Sequence, residues 1–230
     1  MSKNIPEKIL QIRERIAFLE KQYLRSPNSV KLLAVSKTQS AEKIRQALAA
    51  DQHAFAENYL QEALEKIIHL KGEAIEWHFI GPIQSNKTRT IAEHFSWVHS
   101  VDRLKIAKRL SEQRPASLPP LKVLIQVNLD QESSKSGVSL DDLAPLAQAI
   151  SPLHGLELAG LMAIPSPGKD FQAQREGFRK LRLARDHLLT QGFGTCQELS
   201  MGMSADYEAA IAEGASIIRI GTEIFGPRQV

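Results

Sequence analysis

Lys37 is the residue of this chain best placed for covalent chemistry. It follows the apolar, β-prone run Leu32-Leu33-Ala34-Val35 in residues 31–38 (KLLAVSKT), so a single amine stands where a strand gives way to a loop. In repeating α/β proteins that end of a strand faces the ligand. An isolated strand-end lysine is ordinarily just solvated, so its role depends on what other strand ends bring to it. Ser200-Met201-Gly202-Met203-Ser204 is a hydroxyl-bearing turn with a central glycine that runs into a helix. Its backbone N–H groups and the positive helix end suit a phosphate. Gly221-Thr222, after the next strand, adds a further N–H and a hydroxyl, and phosphate sites after strands seven and eight recur in barrel folds. Singly, Ser204 reads as a helix cap and Gly221 as a turn; their placement after adjacent strands suggests one site. Asp206 and Glu208 suit the helix dipole and would have to point away from a phosphate. Arg219, between Ile218 and Ile220, must face an interior partner or spoil an apolar face.

An amine, an anion cradle and an inward guanidinium together suggest a phosphorylated aldehyde held as an imine. The ε-amine reacts only when neutral, so its site must lower the lysine pKa, with Arg219 and partial burial as candidate causes. Pyridoxal phosphate satisfies the set, with Lys37 at the aldehyde, 200–204 and 221–222 at the phosphate, and Arg219 at the pyridine nitrogen. An arginine there leaves the nitrogen unprotonated and the ring a weak electron sink.

Eight β-like segments alternate with helices to position these groups. They are 32–35, 53–57, 77–80, 97–101, 121–129, 156–163, 195–199 and 216–220. Strict alternation predicts a parallel sheet, and eight strands predict a (β/α)8 barrel; an open doubly wound sheet is the alternative. Ile5, Ile9, Ile12, Ile16 and Leu19 add an N-terminal helix before strand one, with Asn4 as N-cap. Ser40, Asp102 and Ser139 are expected to cap later helices. The polar loop 130–138 (DQESSKSGV) is the candidate mobile cover over the site.

The 230 residues, 43% of them hydrophobic, suit one domain spanning 1–230. With 29 basic and 26 acidic side chains, the net charge of +3 carries no nucleic-acid or membrane footprint. Lone Cys196, expected in a buried strand, excludes an intrachain disulfide and suits a reducing cytoplasm. No metal cluster, secretory signal or membrane span is evident.

At these residues the chain resembles the pyridoxal phosphate homeostasis protein family, which is similar in fold to the N-terminal barrel of alanine racemase. The resemblance rests on AVSKT (34–38), ENY (57–59), WHFIGPIQSNK (77–87), Val127-Asn128 with Lys135-Ser136-Gly137, Gly160-Leu161-Met162, LSMGMS (199–204) and RIGTEIF (219–225). It implies that Lys37 carries the pyridoxyl group, that Asn58 lies by the cofactor, that Ser200, Gly202, Ser204, Gly221 and Thr222 surround the phosphate, and that Arg219 faces the ring nitrogen. Ala56 stands where the family usually shows glycine. The family is regarded as a cofactor carrier or regulator of vitamin B6 and amino-acid pools without established turnover, so a monomer that passes cofactor to apo-enzymes is expected. A racemase-type second domain is not expected, because about ten residues follow the last strand. His78, His99 and Tyr59 are the local acid/base candidates for a narrow-scope racemase or lyase, the alternative function, with His78 expected to be a packed strand residue. A barrel binding another phosphorylated ligand without covalent chemistry is the third reading.

Overall fold

The structure is a computed structural model that describes residues 4–130 and 136–227. Eight parallel strands close into a barrel in chain order, β8 pairing with β1. They are β1 (Lys31–Val35), β2 (Ala54–Glu57), β3 (Glu76–Phe79), β4 (Trp97–Val101), β5 (Leu121–Gln126), β6 (Leu156–Met162), β7 (Glu198–Ser200) and β8 (Ile217–Ile220). The expected barrel is therefore present, and the open-sheet alternative is excluded by the β1–β8 pairing.

The ring of helices runs α1 (Ile5–Gln22), α2 (Ala41–Leu48), α3 (Leu60–His69), α4 (Thr88–His94), α5 (Leu104–Gln113), α6 (Leu140–Ile150), α7 (Phe171–Thr190), α8 (Tyr207–Ala212) and α9 (Thr222–Phe225). The extra helix α1 starts on a capping box in which Asn4 accepts the Glu7 N–H and Glu7 accepts the Asn4 N–H. Its isoleucine stripe is buried as the spacing predicts, against α2, α8 and α9. Ser40 and Ser139 cap α2 and α6. No helix among the described residues is long and apolar enough to cross a membrane.

Four local expectations change. Strand seven begins at Glu198, because residues 193–197 spend their backbone bonds on turns and the Thr195 hydroxyl donates to the Leu158 carbonyl. Cys196 is buried, but in that turn. Asp102 does not cap α5; its carboxylate pairs with Arg103, which occupies the N-cap position. Strand five ends at Gln126, and Val127 bridges to Val138 instead of extending it. Of the loop expected to cover the site, residues 131–135 lie outside the described residues, Lys135 among them. Its far end folds back onto strand five: Val138 donates to the Gln126 carbonyl and Asn128 to that of Val138.

Two apolar layers result. One lies between sheet and helices; the other fills the barrel with Leu33, Ala54, Ala56, Trp97, Leu124, Ala159, Met162 and Ile217. Ala56 is a fully buried member of that inner layer.

Candidate functional site

Strand alternation decides which side chains reach the barrel mouth. Leu33 and Val35 of β1, Ala54 and Ala56 of β2, and Ile217 of β8 share the inner cluster, so the inward parity leads to Lys37, Asn58, Arg219 and Gly221. The registers Val35↔Ala56 and Ala34↔Ile220 bring those positions to neighbouring levels at the C-terminal end of the barrel. Lys37 and Asn58 are both half-buried there.

The opposite parity anchors the lysine loop. Ser36 points outward and donates through its hydroxyl to Glu57 Oε1 at 2.5 Å. Lys66 of α3 extends its ammonium into the same layer, 2.7 Å from the Ser36 carbonyl, 2.8 Å from Glu57 Oε1 and 2.5 Å from Glu62 Oε1. Glu62 also accepts the Thr38 N–H at 2.6 Å, and Thr38 holds a left-handed φ of 62°. Both residues flanking Lys37 are thus tied to one buried ion-pair cluster. Burial pushes the Glu57 carboxyl above its ordinary range although Lys66 and Ser36 pull it down. The sequence reading missed this clamp. The signal was Glu62 and Lys66 at i, i+4 beside ENY, a spacing that usually marks a solvated pair.

Arg219 lies inside the barrel, 4% exposed. Its Nη1 donates to Ser200 Oγ at 2.8 Å and its Nη2 to the Ala163 carbonyl at 3.1 Å. Burial lowers its pKa to about 10, against the attraction of Asp206. The interior partner that the sequence demanded is Ser200. That serine is itself fully buried, and its Oγ also lies 2.9 Å from His99 Nδ1. The Ser200 hydroxyl therefore faces the barrel axis instead of the turn that follows it.

The rest of the expected cradle is partly formed. Gly202 has φ +93°, and a Cβ there would lie 2.6 Å from Ala210 Cβ, so this turn requires glycine. Its carbonyl accepts the Arg219 N–H at 3.0 Å, tying the turn to β8. The helix begins at Tyr207 with Asp206 at the N-cap position, and Ser204 stands exposed two residues earlier. Asp206 turns back and accepts the Met203 N–H at 2.7 Å, so one amide expected to face a phosphate already meets a carboxylate. Burial raises the Asp206 pKa. Glu208 points away, to Arg15 at 2.7 Å and Tyr23 at 3.1 Å. Gly221 packs on β1, where a Cβ would come within 3.2 Å of the Val35 carbonyl oxygen, and Thr222 opens α9 exposed.

His78 and His99 are fully buried on inward positions of β3 and β4, with His78 Nδ1 2.9 Å from His99 Nε2. Tyr59 is 50% exposed and borders a cleft of about 460 Å³ with Asn58, Leu64, Gln84 and Lys87. A concavity of about 510 Å³ opens at the opposite, N-terminal mouth, among Arg13, Lys31, Asp51, His53 and Glu76, away from the strand ends that hold Lys37.

The profile of the alanine racemase N-terminal domain matches residues 10–229. A pyridoxal phosphate homeostasis protein of Pseudomonas aeruginosa is 56% identical over 224 residues, covering 97% of this chain and 96% of that protein. Its counterpart in Escherichia coli K12 is 49% identical over 228 residues, covering 98% and 97%. Among solved structures, PipY of Synechococcus elongatus with pyridoxal phosphate bound superposes with TM-score 0.85 at 36% identity, over 97% of this chain and 100% of that one. Alanine racemase of Corynebacterium glutamicum, at 16% identity and TM-score 0.69 over 94% of this chain and 61% of that one, shares the fold. On that evidence the chain belongs to the pyridoxal phosphate homeostasis protein family, built on the alanine racemase N-terminal domain.

Proposed function

We propose that this protein holds pyridoxal 5'-phosphate as a Schiff base to Lys37 and serves as a carrier of that cofactor in vitamin B6 and amino-acid homeostasis. It does so as a cytoplasmic, monomeric, single-domain barrel, with apo-enzymes as acceptors. The observation that carries the reading is Arg219, a buried cation on the inward parity of β8 beside the strand whose inward parity leads to Lys37. Two of its five N–H groups are engaged by Ser200 and Ala163, which leaves donors for a ring nitrogen.

The donor set fits the cofactor: an amine for the aldehyde, a guanidinium for the ring, and Gly202, Ser204, Gly221 and Thr222 for the phosphate, with Asn58 alongside. When bound, the cofactor supplies an aldehyde that condenses with amines. The chain fixes the two residues flanking Lys37 through Lys66 and Glu62, and it presents a cation, not a carboxylic acid, to the ring. That choice suits holding and release more than carbanion chemistry. Both interior histidines are fully buried and have their ring nitrogens engaged by each other, by Glu76 and by Ser200, which supports the same reading over a racemase or lyase.

Borohydride reduction after incubation with pyridoxal phosphate, followed by peptide mass spectrometry, tests it. The pyridoxyl mass is expected on Lys37 and absent in Lys37→Ala. Label on another lysine, or none, would overturn the assignment.

A further inference from the structure

We propose that Glu76, His78, His99 and Ser200 form one polarised hydrogen-bond relay along the barrel axis that positions Arg219 from the opposite mouth of the barrel. Five links are in place. Lys31 Nζ to Glu76 Oε1, Glu76 Oε1 to His78 Nε2, His78 Nδ1 to His99 Nε2, and His99 Nδ1 to Ser200 Oγ are each 2.9 Å, and Ser200 Oγ to Arg219 Nη1 is 2.8 Å.

The two ends fix the direction. A carboxylate only accepts, so His78 donates from Nε2. A neutral His78 then accepts at Nδ1, so His99 donates from Nε2 and accepts at Nδ1, and the Ser200 hydroxyl must donate to it. Arginine only donates, and Ser200 Oγ accepts from it. Both rings carry their proton on Nε2, and the Ser200 hydrogen is committed to His99. Ser200 is on this account a positioning residue for Arg219 and not a phosphate donor, which rests on the proposed function for the ligand's identity but not for the relay itself.

The surroundings favour the neutral rings. Trp97 stacks on His78 with centroids 5.3 Å apart, and Lys31 from β1 and Lys122 from β5 lie 5.3 and 4.8 Å from the Trp97 ring. Arg219 from β8 stands beyond Ser200, with Asp206 acting on it from the turn after β7. Glu76 faces the chain with a negative charge, and Lys31 partly neutralises it. Burial holds both imidazoles below the ordinary histidine pKa. One added proton would invert the order: His78 would donate from both nitrogens, His99 from Nδ1, and the Ser200 hydrogen would leave the chain.

Nitrogen-15 NMR of the histidine rings in the ligand-free protein at about pH 8 tests the relay directly. The Nε2–H tautomer is expected for both His78 and His99, and an Nδ1–H tautomer at either would overturn the proposal. In Glu76→Gln, at the half-exposed mouth where folding is least at risk, the His99 resonances are expected to shift with those of His78; an unmoved His99 would overturn it. A binding cycle with pyridoxal phosphate adds the ligand end. His99→Asn and Ser200→Ala are each expected to weaken binding about tenfold, the worth of one charge-assisted hydrogen bond, and the double variant no further. Multiplying losses would overturn the relay. Wild-type protein that shows the tautomers but binds no pyridoxal phosphate would instead remove the proposed function.

Discussion

Lys66 Nζ lies 2.7 Å from the carbonyl oxygen of Ser36, the residue that precedes Lys37. The ammonium is buried against Glu57, so its removal leaves a carboxylate enclosed without its counter-charge. Lys66→Met is expected to cost about 3–5 kcal/mol of stability in urea unfolding. Lys66→Met with Glu57→Gln should recover part of that loss. A single variant as stable as the parent would mean that the cluster contributes nothing. Pyridoxyl labelling of Lys37 should also slow in the single variant, because Ser36 and Thr38 lose their common anchor.

Acid should weaken the fold through its two interior histidines. Both are held neutral by burial, so the unfolded chain binds protons more readily below their ordinary value of 6.5. Stability is then lost as pH falls through 6.5 toward the lowered folded values, by up to about 1.4 kcal/mol per pH unit for each histidine. Glu57 works in the opposite sense, since its raised folded pKa makes acidification toward 4.5 favourable. Glu76, held low by His78 and Lys31, adds a further loss only as pH falls below 4.5. Urea midpoints measured between about pH 5 and 8 should decline on the acid side, and His99→Asn should flatten the decline. A midpoint that rises below pH 6.5 contradicts the assignment of both rings as buried and neutral.

Asp206 places a carboxylate on the Met203 amide, within the turn proposed for phosphate. Asp206→Asn keeps an oxygen to accept that N–H and removes the charge. Inorganic phosphate and pyridoxal phosphate should both bind roughly three- to tenfold more tightly in the variant, the scale of one partly screened charge. Equal or weaker binding, read by isothermal calorimetry, would place the anion away from this turn.

Cys196 is fully buried, and desolvation pushes its thiol up to about 12. Alkylation by iodoacetamide at about pH 8 should be slower in the native protein than in urea by roughly a thousandfold or more, since thiolate is the reacting form. Rapid native labelling would show that the turn before β7 opens readily.

The barrel was legible because its evidence is periodic. Eight apolar runs and eight helical stripes repeat, and closure follows from their number. The places of Lys37 at a strand end, of Arg219 inside the barrel and of Gly202 in its turn were legible for a related reason, since each breaks a local rule at a strand end or within a strand. The clamp and the relay were not. Both join residues far apart in sequence, such as Ser36 with Lys66 and His99 with Ser200, and their partners become neighbours only when strand parity and barrel closure are combined. The Asp206 contact was misjudged for a shorter-range reason: the helix starts at Tyr207, which lets the preceding carboxylate fold back onto the turn.

Trp97 lies face to face with His78 at an interplanar angle of 7°, sealed inside the barrel. The indole is therefore an optical gauge built into the axis of the molecule. Its emission is expected to fall when the ring it covers takes up a proton, because an imidazolium quenches a stacked indole more strongly than neutral imidazole does. With Trp77 replaced by Phe, the one remaining tryptophan would read the proton count of the interior without any label.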